Sequence, residues 1–128
     1  MYRCIILYNE KAALSHSHAA TALYSSLVKA SSTSGTYNYT SVISTLTNYN
    51  FVIVNASAGN TSLNLIFPKN MTAPQYISDG RVDGTSFQIR TGVIVDWTNK
   101  KVGVRFLNLA GYSNGSDNSH IDSVWGLL

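Results

Sequence analysis

The fold is decided by one stretch of the chain, FQIRTGVIVDWTNKKVGVRF, which spans residues 87–106. In its second half, Val102, Val104 and Phe106 alternate with residues that are polar, charged or glycine. The first half alternates in the same way, and the short polar turn Thr98-Asn99-Lys100 separates the two halves. Two alternating runs joined by such a turn predict an antiparallel β-hairpin with one buried face.

Shorter runs on both sides of this hairpin indicate more strands. Residues 51–54 (FVIV) form a continuous apolar run, which at that length is typical of a strand buried on both faces. Gly92 interrupts the hairpin pattern, and we expect a β-bulge there. Further strands are predicted at residues 22–28, 37–43, 63–67 and 121–128, with an irregular stretch at 71–83. About seven or eight short strands predict an all-β fold, a small antiparallel β-sandwich of jelly-roll type.

Composition indicates one domain with an unusually uncharged surface. A chain of 128 residues builds at most one compact core. We expect an anchoring or shaft segment at residues 1–21 and the sandwich at 22–128. Only 12% of the residues are charged, about half the usual share, and Ser, Thr, Asn, Gly and Tyr replace them. A surface with so few charges is either covered by a partner or used for hydrogen-bonded recognition.

Several function classes are disfavoured. The net charge of +3 is spread thinly and forms no basic stripe, which argues against nucleic-acid binding. No stretch approaches the roughly 18–20 apolar residues of a membrane span. His120 and Asp122 would share a face of the last strand, but no nucleophile can be assigned to them. Catalytic motifs such as G-x-S-x-G or H-E-x-x-H are missing, so we expect no enzyme.

The pair His16 and His18 has a spacing with chemistry in it. Residues i and i+2 of an extended chain project to the same side. Two imidazoles are too few for a firm site, but a three-fold axis would gather six of them, enough for an octahedral transition metal. The alternative is two exposed histidines in a lead to the domain, and these residues alone favour that interpretation.

Three segments resemble the C-terminal part of bacteriophage tail-fibre and receptor-binding proteins. Residues 13–21 (ALSHSHAAT) are similar to the S-H-x-H-A-A-T segments of phage fibre shafts. Residues 22–26 and 46–54 resemble the opening of fibre-tip domains, and 121–128 (IDSVWGLL) resembles their terminal strand. The resemblance implies a homotrimer, with His16 and His18 of three chains holding one metal ion, usually iron, on the axis. The chain departs from the pattern in having no long shaft, which leaves its position in the virion (tail, baseplate or head) open.

The expected function is therefore that of a virion structural protein, a short tail fibre or receptor-binding tip that attaches to a host cell-surface glycan. The N-terminal segment would contact other virion proteins, and the particle would be assembled in the host cytoplasm. Tyrosine rings and amide or hydroxyl groups suit sugars. The candidate receptor residues are Tyr112, Asn114, Asp117 and Asn118 in the loop 111–119, with Tyr76 and Asp79 in the irregular stretch.

Two alternatives remain open. One is a capsid-decorating, head-fibre or baseplate connector protein with no receptor role, in which the N-terminal segment docks into the shell. The other is a free carbohydrate-binding module, which fits the sandwich but not the missing secretion signal.

Overall fold

The computed structural model describes residues 20–83, 85–108 and 118–128, and in these ranges the chain is an antiparallel β-sandwich. The predicted all-β sandwich is thereby confirmed. The strands of the described ranges are β1 (Thr21–Tyr24), β2 (Val28–Lys29), β3 (Asn38–Tyr39), β4 (Phe51–Ala58), β5 (Thr61–Pro68), β6 (Gln75–Asp83), β7 (Thr85–Asp96), β8 (Lys101–Asn108) and β9 (Ser119–Leu127). A 3₁₀ turn, Leu46–Asn48, precedes β4.

The strands form two sheets. The five-stranded sheet has the order β1-β9-β4-β5, with β2 also pairing with β9. The four-stranded sheet has the order β3-β8-β7-β6. The C-terminal strand β9 thus lies inside its sheet, as the apolar end of the sequence predicts. The hairpin predicted around Thr98–Lys100 is confirmed, because Asp96 of β7 pairs with Lys101 of β8.

Alternation along the strands builds one hydrophobic core between the sheets. Because successive side chains of a strand point to opposite faces, every second residue faces inward. From the five-stranded sheet the core takes Val52, Val54, Ala56, Leu65, Phe67, Ile121 and Val124, and from the four-stranded sheet it takes Ile77, Val93, Val95, Val102, Val104 and Phe106. The other face of each sheet is left to meet solvent or a partner.

One polar bridge crosses the core. The hydroxyl of Thr91 in β7 forms hydrogen bonds with the Ser119 hydroxyl (2.7 Å) and with the Ser57 carbonyl oxygen (3.1 Å) of the other sheet. Thr91 and Ser119 are fully buried, and each hydroxyl has a partner. A buried polar group costs stability only when it is unpaired, so this bridge fixes how the two sheets align without a large penalty.

The structure corrects several predictions about individual strands. The run 51–54 is buried on one face only, because Phe51 is exposed and Ile53 half-buried while Val52 and Val54 are buried. The predicted strands at 22–28 and 37–43 are shorter, namely β1 with β2, and β3. No bulge lies at Gly92, which pairs in unbroken register with Tyr76 and Arg105.

The stretch predicted to be irregular is in fact the strand β6. Its polar sequence QYISDGRVD does not alternate clearly. It still forms a strand because β7 offers a long partner across the next turn, with paired residues from Gln75 and Val93 to Asp83 and Thr85. Backbone pairing to a strong neighbour therefore outweighs the weak local propensity.

Candidate functional site

The outer face of the four-stranded sheet carries a row of aromatic and cationic side chains, which we call the Tyr–Arg row: Tyr37, Tyr39, Tyr76, Arg90 and Arg105. Strand alternation places it there. Since Val102, Val104 and Phe106 face the core, the residues between them in β8 face outward. In register, Arg105 of β8 pairs with Gly92 of β7, which pairs with Tyr76 of β6.

Arg105 lies between two tyrosine rings. Its guanidinium carbon is 4.7 Å from the centroid of the Tyr37 ring and 5.8 Å from that of Tyr76. One guanidinium nitrogen, Nη2, donates a 2.8 Å hydrogen bond to the Tyr76 hydroxyl. The Arg90 guanidinium carbon lies 5.4 Å from the centre of the Tyr76 ring. These distances fall within the range of cation–π attraction, so the two charges are held against the rings.

Two glycines let the rings lie close to the sheet. A Cβ atom on Gly92 would be 3.1 Å from both Arg105 Nε and Tyr76 Cε1. On Gly103, which pairs with Tyr39, a Cβ atom would be 2.7 Å from Tyr39 Cε1 and 3.2 Å from Tyr37 Cδ1. Glycine inside a strand often marks such a close approach. Gly92 and Gly103 thus create a flat surface covered by tyrosine rings.

Two polar atoms of the row have unused hydrogen-bonding capacity. The Tyr37 hydroxyl and Arg105 Nε are both buried, and neither forms a hydrogen bond of good geometry with a described residue. Burial raises the pKa of the Tyr37 hydroxyl, while the nearby Arg105 charge acts in the opposite direction. The phenol therefore stays protonated at neutral pH. Unsatisfied buried polar atoms are uncommon in proteins and are often found where a ligand binds.

A groove of about 300 Å³ adjoins this row at Tyr39. Its lining combines one aromatic ring and one Trp with amide, hydroxyl and carboxylate groups: Tyr39, Asn70, Thr72, Ile94, Val95, Asp96, Trp97 and Thr98. The volume is at the lower end of the range for small-molecule sites. Tyr39 belongs both to the row and to the groove, so the two form one continuous surface.

Asp96 supplies the negative charge of the groove. The Asn99 side chain (2.9 Å) and the Asn99 backbone N–H (3.0 Å) both donate hydrogen bonds to its carboxylate. These hydrogen bonds lower the pKa of Asp96, so it is ionised at neutral pH. The same contacts close the turn between β7 and β8, and the groove wall at this end is thereby fixed.

The structure brings one residue predicted from the sequence into this surface. Tyr76 is part of the Tyr–Arg row. Asp79 lies further along β6, where its backbone pairs with Ile89, and Asn118 lies immediately before β9 of the other sheet. The remaining predicted site residues, Tyr112, Asn114, Asp117, His16 and His18, lie outside the described residues.

Sequence reasoning missed Tyr37, Tyr39 and Arg105. A signal was present, because Tyr37 and Tyr39 alternate with Asn38, and Arg105 occupies an outward position of the predicted hairpin. What the sequence did not reveal is that β3 and β6 lie on opposite sides of this hairpin. That topology brings residues 37 and 76 to the same arginine.

A second polar cluster lies on the other sheet. His120 Nδ1 is 3.0 Å from Asp122 Oδ1, so the predicted common face of this pair is confirmed. The Ser57 hydroxyl donates to Asp122 Oδ2 (3.2 Å) and is 2.7 Å from the Ser62 hydroxyl. In a serine triad the imidazole lies between the serine and the carboxylate, whereas here the carboxylate lies between the other two. The printed contacts therefore describe a cross-strand polar cluster without the serine-to-imidazole link.

No protein-family model, curated protein or solved structure matches the chain. In the described ranges, no three His, Cys, Asp or Glu residues are grouped as a metal site would require. None of the helices in these ranges is long and apolar enough to cross a membrane. The argument for function therefore depends on the sequence resemblance and on the geometry of the Tyr–Arg row and its groove.

Proposed function

We propose that this protein is a bacteriophage virion structural protein, a short tail fibre or receptor-binding tip that attaches to a glycan on the host cell surface. The observation that carries the proposal is the continuous surface of the Tyr–Arg row and its groove. Tyr76 and Tyr39 are 42% and 40% exposed in it, although both rings are held in place. The phage assignment itself comes from the fibre-like segments at residues 13–26, 46–54 and 121–128.

The chemistry of this surface suits a sugar. A saccharide ring has an apolar face of C–H groups, which packs on an aromatic ring, and an edge of hydroxyls, which need donors and acceptors. The tyrosines supply flat apolar area at a low cost in conformational entropy. In the groove, Asn70, Thr72 and Asp96 supply an amide, a hydroxyl and a carboxylate for the hydroxyls.

We expect the double variant Tyr39→Ala with Tyr76→Ala to bind host cells at least about tenfold more weakly, a change of 1.4 kcal/mol. Both rings are exposed, so the melting temperature should change little. Adsorption of labelled protein to cells of the host strain measures binding, and Leu27→Ala is the matched control. Leu27 is also exposed and apolar but lies between β1 and β2 of the other sheet. Unchanged adsorption of the double variant would count against a receptor site on this face.

The proposal includes assembly as a homotrimer, and an exposed apolar area supports it. On the outer face of the five-stranded sheet, Trp125, Ile53 and Ile66 are neighbours in register across β9, β4 and β5. Trp125 is 37% and Ile66 53% exposed, and Phe51 of the same face is also exposed. Contiguous apolar area on a protein surface marks sites of association.

For this reason Ile66→Lys should weaken self-association at least about tenfold, because assembly would then bury an unpaired charge. Light scattering over a concentration series should give three chains per particle for the unmodified protein and smaller particles for the variant. Ser78→Lys serves as the control, since Ser78 is exposed in β6 of the other sheet. A trimer with both variants equally stable would remove this face from the interface.

A second candidate function is a capsid-decorating, head-fibre or baseplate connector protein with no receptor role. The apolar face around Trp125 favours it, because another virion protein could cover the same area. The adsorption experiment separates the two functions, since a connector would not need Tyr39 or Tyr76. One iron ion per trimer, bound by His16 and His18, stays a prediction for residues outside the described ranges.

A further inference from the structure

We propose that the Tyr–Arg row selects acidic sugars, and that it binds the carboxylate of a hexuronate through Arg105. The inference rests on the proposed glycan-binding function and specifies its ligand class. It follows from three features of the row: the partners of its arginines, the way Arg105 is held, and the charge at the far end of the groove.

The first feature is positive charge with no matching carboxylate. Among the residues that the structure describes, no Asp or Glu forms an ion pair with Arg90 or Arg105. The contacts of these guanidiniums within the described ranges are the rings of Tyr37 and Tyr76 and the Tyr76 hydroxyl. A tyrosine ring holds the charge in place but does not neutralise it, so the row retains its attraction for an anion.

The second feature is preorganisation. A guanidinium presents its N–H groups in a rigid planar fork that matches a carboxylate. Arg105 is already ordered, because two rings and one hydrogen bond hold it on the sheet. Less side-chain entropy is then lost on binding, which favours affinity. Arg105 Nε and the Tyr37 hydroxyl also lack partners, so a ligand oxygen reached by a small shift of Arg105 would relieve two unsatisfied atoms.

The third feature is the opposite charge at the end of the groove. Asp96 is ionised there, and it lies in β7 four residues beyond Gly92, next to which Arg105 lies. A strand rises about 3.3 Å per residue, so the two charges are separated by about 13 Å along the sheet. Asp96 repels an anion at its own end but accepts hydrogen bonds from sugar hydroxyls. An acidic saccharide is thereby oriented, with its carboxylate at Arg105 and its hydroxyls at Asp96.

The test compares oligoglucuronate and oligogalacturonate with their fully methyl-esterified forms, which keep the shape but lose the charge. With the full chain in a calorimeter, at least one acidic oligomer should bind ten times or more tighter than its ester. Arg105→Gln should abolish this preference. Lys69→Gln, which removes one positive charge at an exposed site beyond β5, should keep it. Arg105→Lys keeps the charge but not the planar fork, and it should lose most of the preference.

Three outcomes would overturn the inference. Equal binding of acid and ester, or binding of neither, would exclude selection of uronates by this row. In both cases the proposed function survives if adsorption to host cells still depends on Tyr39 and Tyr76, so the two failures are distinguishable. Tighter binding of a single-stranded oligonucleotide than of any uronate oligomer would indicate a general surface for polyanions instead.

Discussion

Replacing Phe67 with alanine is expected to lower the free energy of unfolding by about 3–5 kcal/mol, the largest single-site loss we expect in the core. Phe67 is fully buried, and in β5 it pairs with Val52, which is buried as well. Removing its ring loses the transfer free energy of the apolar side chain and leaves a cavity that a close-packed β-sandwich fills only in part. Urea unfolding followed by circular dichroism, at one fixed chain concentration, measures the change.

Leu63→Ala is the matched control for this substitution. Leu63 lies on the same strand and the same face as Phe67, but it is 48% exposed. Burying a whole leucine side chain contributes about 1.5–3 kcal/mol, so truncating a half-exposed one should cost about 1 kcal/mol. Equal losses for Phe67→Ala and Leu63→Ala would contradict the core described here.

Gly126→Val should destabilise the fold through overpacking, by about 1–3 kcal/mol. Gly126 lies in β9, between Thr21 of β1 and Val52 of β4. A Cβ atom there would be 2.6 Å from Tyr49 Cγ and 2.7 Å from both Cδ atoms. These are the ring atoms nearest the Tyr49 backbone, so the ring cannot avoid the new group by moving its tip alone. Thermal unfolding of Gly126→Val against the unmodified chain measures the loss.

A double-mutant cycle identifies the cause of that loss. If the Tyr49 ring is what excludes a side chain at position 126, Gly126→Ala should cost less in a Tyr49→Ala background than in the unmodified chain. Residues in direct contact typically show coupling energies of about 0.5–3 kcal/mol. Additive losses would mean that the glycine is required for some other reason.

The strands with the strongest local pattern could be predicted from the sequence. The hairpin of β7 and β8 was predicted because its inward residues, such as Val93 and Val104, alternate with outward ones and a polar turn separates the strands. The last strand was predicted for the same reason. A strand that lacks this signal, such as β6, was missed, because its pairing depends on β7 rather than on its own residues.

Gly92 illustrates where local reasoning ends. An isolated glycine in a strand indicates either a bulge or a close approach, and the sequence does not distinguish these. The register is unbroken, and side chains of two other strands, Arg105 and Tyr76, occupy the space beside this glycine. Only the tertiary structure brings those side chains there.

The sequence by itself therefore determined the fold class, because the alternation that buries one face of a strand is a local property. It also provided Tyr76 as a candidate for binding. The tertiary structure alone decided that Tyr37 and Tyr76, almost forty positions apart in the chain, meet at Arg105. Strand order within a sheet is set by how all strands share one core, so the outward side chains of different strands become neighbours without any local signal.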